Sequence, residues 1–171
     1  FGTFIVGEPS NYSFYSIADG DWSNPSSWSI ERYGGAPTSI EPTLTANVFI
    51  GDGKTISLTS NKTNNQLVDV DSSGIINFTG NNYIDGTGEF RLVDYSTIRV
   101  AHFQGITTGN SGAVRMSTRN YNYNNHNLGT FEYTGSSNQF IGNGLPDDVF
   151  RLYVNKSANT LTFNQPSKTT V

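Results

Sequence analysis

The sequence predicts an all-β chain, folded as a right-handed parallel β-helix (a solenoid) with an N-terminal aromatic cap, and three observations predict it. Hydrophobic residues alternate with period two in short stretches, TISL at 55–58, VDV at 68–70 and INF at 76–78, while no long segment keeps a helical stripe. An ionic residue flanked by two apolar ones recurs as Phe90-Arg91-Leu92, Ile98-Arg99-Val100, Val114-Arg115-Met116, Phe131-Glu132-Tyr133 and Phe150-Arg151-Leu152. Each triplet places two side chains inward and one outward on a strand. The centres of the last four fall at positions 99, 115, 132 and 151, nearly evenly spaced, with Gly, Asn or Ser clusters between them. This is an imperfect repeat near the length of one solenoid coil.

A β-sandwich also alternates, but its turn signals come at roughly 8 to 12 residues. Apolar segments such as Gln139-Phe140-Ile141 and Thr160-Leu161-Thr162-Phe163 fall between the triplets, where a further solenoid face would run. The outward residues Arg115, Glu132 and Arg151 are then expected to stack on successive coils as a ladder of alternating sign.

Residues 1–46 carry no regular triplets and are expected to form a cap and linker, with coils over 47–171. Both tryptophans of the chain fall in GDWSNPSSWS at 20–29. Trp22 and Trp28 are read as structural, flanking an Asn-Pro turn and laying their indoles over the first coil, because an open solenoid end templates pairing with other chains unless it is covered. The last stretch turns at Pro166 and starts a strand with no comparable aromatic segment, so the coils are expected to continue beyond Val171.

Composition narrows the function. A length of 171 residues fits one domain, and 18 Gly, 6 Pro and 14% charged residues favour turn-rich β structure. A net charge of −4 without a basic cluster argues against nucleic acid and anionic membrane surfaces as partners. The absence of cysteine excludes disulfides, thiolate metal sites and a cysteine nucleophile. No apolar window approaches the length of a membrane span, so membrane insertion is not expected.

The stretch Gly20-Asp21-Trp22-Ser23-Asn24-Pro25-Ser26-Ser27-Trp28, followed by Asn47-Val48-Phe49-Ile50-Gly51-Asp52-Gly53-Lys54-Thr55-Ile56-Ser57-Leu58, resembles the start of the eight-glycine domain. The region from Gly129 through Phe131-Glu132-Tyr133 to Ile141, with Phe150-Arg151-Leu152-Tyr153-Val154, is similar to β-helical coils of large surface adhesins exported by bacteria that glide or use type IX secretion. The link Ile30-Glu31-Arg32-Tyr33 departs from the shorter Gly-rich segment common there. The resemblance implies an extracellular or cell-surface bacterial location and a repetitive, multi-module protein that meets surface glycans or other cell-surface components. It transfers no catalytic residue.

Individual site signals are few. Asp69-Val70-Asp71-Ser72-Ser73-Gly74 matches the opening of a calcium loop, with Asp69, Asp71 and Ser73 as ligands, but the twelfth position is Gly80 rather than Glu. A solvated turn is the favoured reading and calcium the alternative; no other cofactor is expected. His102 and His126 have no partner spacing for zinc and read as surface or turn residues. Gly-x-Ser-x-Gly is absent, and an enzyme is not expected. The run Tyr121-Asn122-Tyr123-Asn124 is read first as an Asn-rich loop whose tyrosines pack over the solenoid side. The alternative is a glycan-contact loop, with two tyrosines at i and i+2 sharing one face for sugar stacking and amides for hydroxyl groups. The function expected is that of a non-catalytic adhesin segment presenting a surface for attachment. The alternative is a carbohydrate-binding module, or a β-helical portion, of a secreted polysaccharide-degrading enzyme.

Overall fold

The computed structural model describes residues 12–123 and 129–164. In chain order the strands are β1 (Ser13–Ser16), β2 (Gly20–Asp21), β3 (Trp28–Ser29), β4 (Asn47–Ile50), β5 (Thr55–Leu58), β6 (Lys62–Thr63), β7 (Leu67–Val70) and β8 (Ile75–Phe78). They continue as β9 (Ile84–Asp85), β10 (Glu89–Leu92), β11 (Thr97–Val100), β12 (Thr118–Asn120), β13 (Thr130–Tyr133), β14 (Gln139–Phe140), β15 (Arg151–Val154) and β16 (Leu161–Thr162). A single 3-10 turn at Pro25–Ser27 is the only helical element among the described residues.

The chain is all-β, and its sheets are parallel. One six-stranded sheet, sheet A, runs β12-β10-β7-β4-β1-β3; a second, sheet B, runs β15-β13-β11-β8-β5-β2. Short pairs β6-β9 and β14-β16 complete it. Among the described residues the only antiparallel strand pairing is β1 with β3. From β4 to β11 the chain repeatedly passes from sheet A to sheet B through a tight turn, leaves, and returns to sheet A beside its earlier strand; after β13 it returns to sheet B at β15 without a further strand of sheet A among the described residues.

The register follows from the alternation. Inward residues stack on inward residues: Ile56 on Ile76, Ile98, Phe131 and Leu152 in sheet B, and Phe14 on Val48, Val68 and Phe90 in sheet A. These inner faces supply one contiguous core in which Val48, Ile56, Val68, Ile76, Phe90 and Ile98 are fully buried. A one-residue slip would turn every one of them to solvent, so the register is strongly specified.

The expected even repeat, with coils centred at positions 99, 115, 132 and 151, is corrected. The steps of the sheet B stack, from Ile56 to Ile76, Ile98, Phe131 and Leu152, are longer than that spacing and unequal, the step from Ile98 to Phe131 being much the longest. Of the four triplets in that repeat, those centred on Arg99, Glu132 and Arg151 fall on neighbouring strands of sheet B, the last shifted in register to face Thr130. Val114-Arg115-Met116 lies outside that stack, Val114 bridging to Ile84, and the further triplet Phe90-Arg91-Leu92 belongs to sheet A.

The segment expected as a cap contributes end strands to both large sheets: β1 lies parallel to β4, β2 parallel to β5, and β3 closes the edge of β1 antiparallel. Asn24 accepts from the Ser26 amide at 3.1 Å and holds the turn that begins at Pro25. A Cβ at position 20 would lie 2.2 Å from the Ser27 hydroxyl, so any larger residue there would have to displace that side chain. Trp22 and Trp28 are buried, with rings meeting edge-on at 5.5 Å, and Trp28 Nε1 donates to the Trp22 carbonyl at 2.8 Å. Phe14 completes the contact edge-on to Trp28 at 6.4 Å.

Replacing Trp22 or Trp28 with alanine removes a fully packed indole and should cost about 3 to 5 kcal/mol of stability, read from urea unfolding midpoints. A loss below about 1 kcal/mol for Trp28→Ala would mean that this end of the core is dispensable.

Candidate functional site

The residues singled out by sequence do not assemble into one site. Asp69 points outward from β7 yet is only 9% exposed, and its Oδ1 has no hydrogen-bond partner. Burial, with the Asp71 charge nearby, raises its carboxyl to about 6. Asp71 accepts instead from the Tyr33 hydroxyl at 3.3 Å and the Ser72 amide at 2.7 Å. The Ser73 hydroxyl accepts from the Gly53 amide at 3.0 Å. Among the described residues no group of three or more His, Asp or Glu is placed to hold a metal ion.

The Tyr-Asn run is also divided, so the expectation that its tyrosines share one face is corrected. Tyr121 packs against Phe90 at 5.9 Å and Phe131 at 5.8 Å, and burial pushes its phenol above the usual range. Tyr123 lies under the Arg91 guanidinium at 4.5 Å. The reason is that the chain turns at 121–123 as it leaves β12, so the period-two rule of a strand no longer applies. The Asn122 amide donates to Asn120 Oδ1 at 3.2 Å, and Asn124 lies outside the described residues. His102, expected as a surface or turn residue, opens the turn at 102–105, its carbonyl accepting from the Gly105 amide, but it is buried rather than at the surface, and burial beside Arg115 lowers it to about 4; His126 lies outside the described residues.

A different constellation stands on the outer face of sheet B. Outward residues of this sheet form the column Ser57, Asn77, Arg99, Glu132, Tyr153. The expected Arg115-Glu132-Arg151 ladder is therefore corrected: Glu132 lies between Arg99 and Tyr153, Arg151 lies beside Thr130, and Arg115 covers the Tyr83 ring at 3.5 Å.

Arg99 Nε donates to Glu132 Oε2 at 2.7 Å, and Asn155 Nδ2 donates to Glu132 Oε1 at 2.8 Å. Burial alone would raise the Glu132 carboxyl, but the hydrogen bonds from Asn155 and Arg99, with the charge of Arg99, hold it below the usual range. Glu132 is thus a fixed carboxylate with both oxygens engaged.

Two grooves adjoin this pair. One, of about 720 Å3, is lined by Asn77, Asn81, Phe103 and Asn155 together with Arg99 and Glu132. The other, of about 410 Å3, shares Arg99 and Glu132 and adds Tyr95, Phe150, Arg151 and Tyr153. Six aromatic side chains are exposed among the described residues, and four of them, Tyr95, Phe103, Phe150 and Tyr153, line these grooves. Among the described residues Glu132 is the only carboxylate in either lining.

Tyr95 is held there at a conformational cost. Turns at 51–54, 71–74 and 93–96 connect sheet A to sheet B, each closed by a backbone bond from its fourth residue to its first, at 3.0, 2.8 and 3.1 Å. The third residue of each has positive φ: Gly53 at 70°, Ser73 at 64° and Tyr95 at 64°. Glycine adopts this region freely, whereas a bulky side chain there is strained by about 1 to 2 kcal/mol. The strained tyrosine stands 60% exposed and edge-on to Phe150 at 6.0 Å. Strain of this kind clusters at functional sites.

Comparison of the chain with protein-family models, with curated proteins and with solved structures finds no match.

The raised Asp69 carboxyl gives a pH test. Its folded value of about 6 lies above the ordinary 3.8, so the protonated form favours folding, and that contribution is full below the ordinary value and lost as pH rises through about 6. Asp69→Asn should flatten this dependence and raise stability near neutral pH by about 1 to 2 kcal/mol, allowing for screening. Parallel pH profiles of melting temperature for the two chains would contradict the assignment.

Proposed function

We propose that this chain is a non-catalytic segment of a secreted or cell-surface adhesin, wound as a right-handed parallel β-helix, that attaches to saccharides through the outer face of sheet B. The winding is supported by the in-register parallel stacks, by equal four-residue turns between the two sheets, and by the right-handed rule for parallel crossovers. Attachment rests on one observation: four exposed aromatic rings surround the fixed Arg99–Glu132 pair in two contiguous grooves.

The chemistry suits a sugar. Aromatic faces take the apolar face of a pyranose ring. Amides of Asn77, Asn81 and Asn155 and hydroxyls of Thr134, Ser136 and Ser137 line the larger groove and match ring hydroxyl groups in both directions. The open grooves fit an extended chain held by many weak contacts, and repetition along a surface multiplies such contacts into firm attachment. A carbohydrate-binding module of a polysaccharide-degrading enzyme would use the same groove.

A glycan array on the chain is the first test, followed by titration of the best hit. Wild type should retain at least one glycan class, and Tyr153→Ala should weaken it by about tenfold, the loss expected for one stacking contact. Tyr95→Gly separates strain from binding: it should raise the unfolding free energy by about 1 kcal/mol while losing affinity. An array without hits, or hits unaffected by both variants, would remove the attachment role from this face.

A further inference from the structure

We infer that the saccharide held by these grooves is acidic, carrying carboxylate groups that Arg99 and Arg151 receive; this rests on the saccharide reading above. The formal charge of the chain is −4, yet among the described residues the smaller groove is lined by two guanidiniums and a single carboxylate. That carboxylate, Glu132, accepts from Arg99 and Asn155, and its charge is offset by its ion pair with Arg99, which leaves the charge of Arg151 without a counter-charge in the lining.

The two guanidiniums remain available. Arg99 uses only Nε toward Glu132, and its terminal nitrogens donate to no described residue. The bond orients the fork while leaving its outer edge open. Arg151 is exposed, lies 4.6 Å from the Phe150 ring centre, and forms no ion pair with a described residue. Lys156 is a contrasting case, because its ammonium donates to the carbonyls of Gly135 and Ser137 and serves the fold.

A planar guanidinium matches a carboxylate with two parallel hydrogen bonds, which a neutral hydroxyl group cannot supply. Arg99 stands on β11 and Arg151 on β15, with β13 between them. Two strand spacings place them about 10 Å apart along the stack, of the order of a disaccharide. Tyr95, Phe150 and Tyr153 line the same groove and supply stacking surface for the rings that carry those carboxylates.

The experiment is calorimetric titration with a hexamer of galacturonic acid and with its fully methyl-esterified form, on wild type and Arg151→Gln, with melting curves confirming that the exposed substitution leaves the fold intact. Wild type should bind the acid at least about tenfold more tightly than the ester, and added salt should erode the difference. Arg151→Gln should bring the acid close to the ester without weakening the ester. Equal binding of acid and ester, discrimination that survives Arg151→Gln, or no binding of either form overturns the acidic-ligand inference. The array then separates the two readings: neutral glycans retained in a Tyr153-dependent manner leave the groove as the attachment site, and an empty array removes that as well.

Discussion

A backbone that buries alternate side chains in strands of four residues or fewer must find hydrogen-bond partners on both edges, and here it finds them in copies of itself. Strands β7 and β8 each lie between two parallel neighbours in register. Every other feature is subordinate to that pairing. The turns at 51–54, 71–74 and 93–96 must have one length, since one added residue would invert the faces of the following strand. Where stacked backbones approach most closely no side chain fits: a Cβ on Gly74 would lie 1.9 Å from the Ile50 carbonyl oxygen, and one on Gly88 1.8 Å from that of Gln66. Buried amides fill the gaps between strands, Asn64 donating to the Ala46 carbonyl and Gln139 to those of Val100 and His102.

The same pairing exposes two outer faces, and they differ in how they are closed. On sheet A, Tyr15 stacks on Phe49 at 5.1 Å and meets Tyr33 edge-on at 5.3 Å, while Tyr123 lies against Arg91 farther along. Arg91 bonds to Glu89 at 2.7 Å on its own strand rather than to Asp69, its neighbour in register. Asp69 is therefore left beside a guanidinium without a hydrogen bond to it, desolvated under the surrounding side chains. On sheet B, Glu132 bonds directly across strands to Arg99, and its neighbours open into grooves. A closed polar cluster stores electrostatic cost, whereas an open one presents donors to a ligand.

Local alternation was legible because it depends only on nearest neighbours. TISL at 55–58 buries Ile56 and Leu58 and turns Thr55 and Ser57 outward, as the pattern requires. The repeat length was not legible, because the segment between β11 and β13 holds β12 and a bridge from Val114 to Ile84, which stretches the interval from Ile98 to Phe131 beyond the others in the stack. Triplets that look equivalent in sequence then belong to different sheets. The candidate site was hidden for a related reason: Tyr95, Arg99, Glu132 and Tyr153 come from one turn and three strands, and only the register brings them together. A search for local aromatic runs selects Tyr121 and Tyr123, which the turn after β12 sends to different surroundings. The one local signal was tyrosine at the third position of a tight turn, where the corresponding turns hold glycine and serine.

That position also shows what a stacked architecture makes possible. Because the turn geometry is imposed by strands on both sides, Tyr95 is held at positive φ whatever its own preference, and its ring is directed against Phe150 from β15's entrance. In an isolated turn a tyrosine would relax toward negative φ and the ring would leave the groove. The parallel ladder is thus both scaffold and clamp: it supplies the free energy that tolerates about 1 to 2 kcal/mol of local strain, and it fixes the backbone from which the ring meets Phe150. A ring ordered in advance loses less entropy on contact, so under the saccharide proposal strain carried by the folded state would lower the entropic cost of stacking in so open a groove.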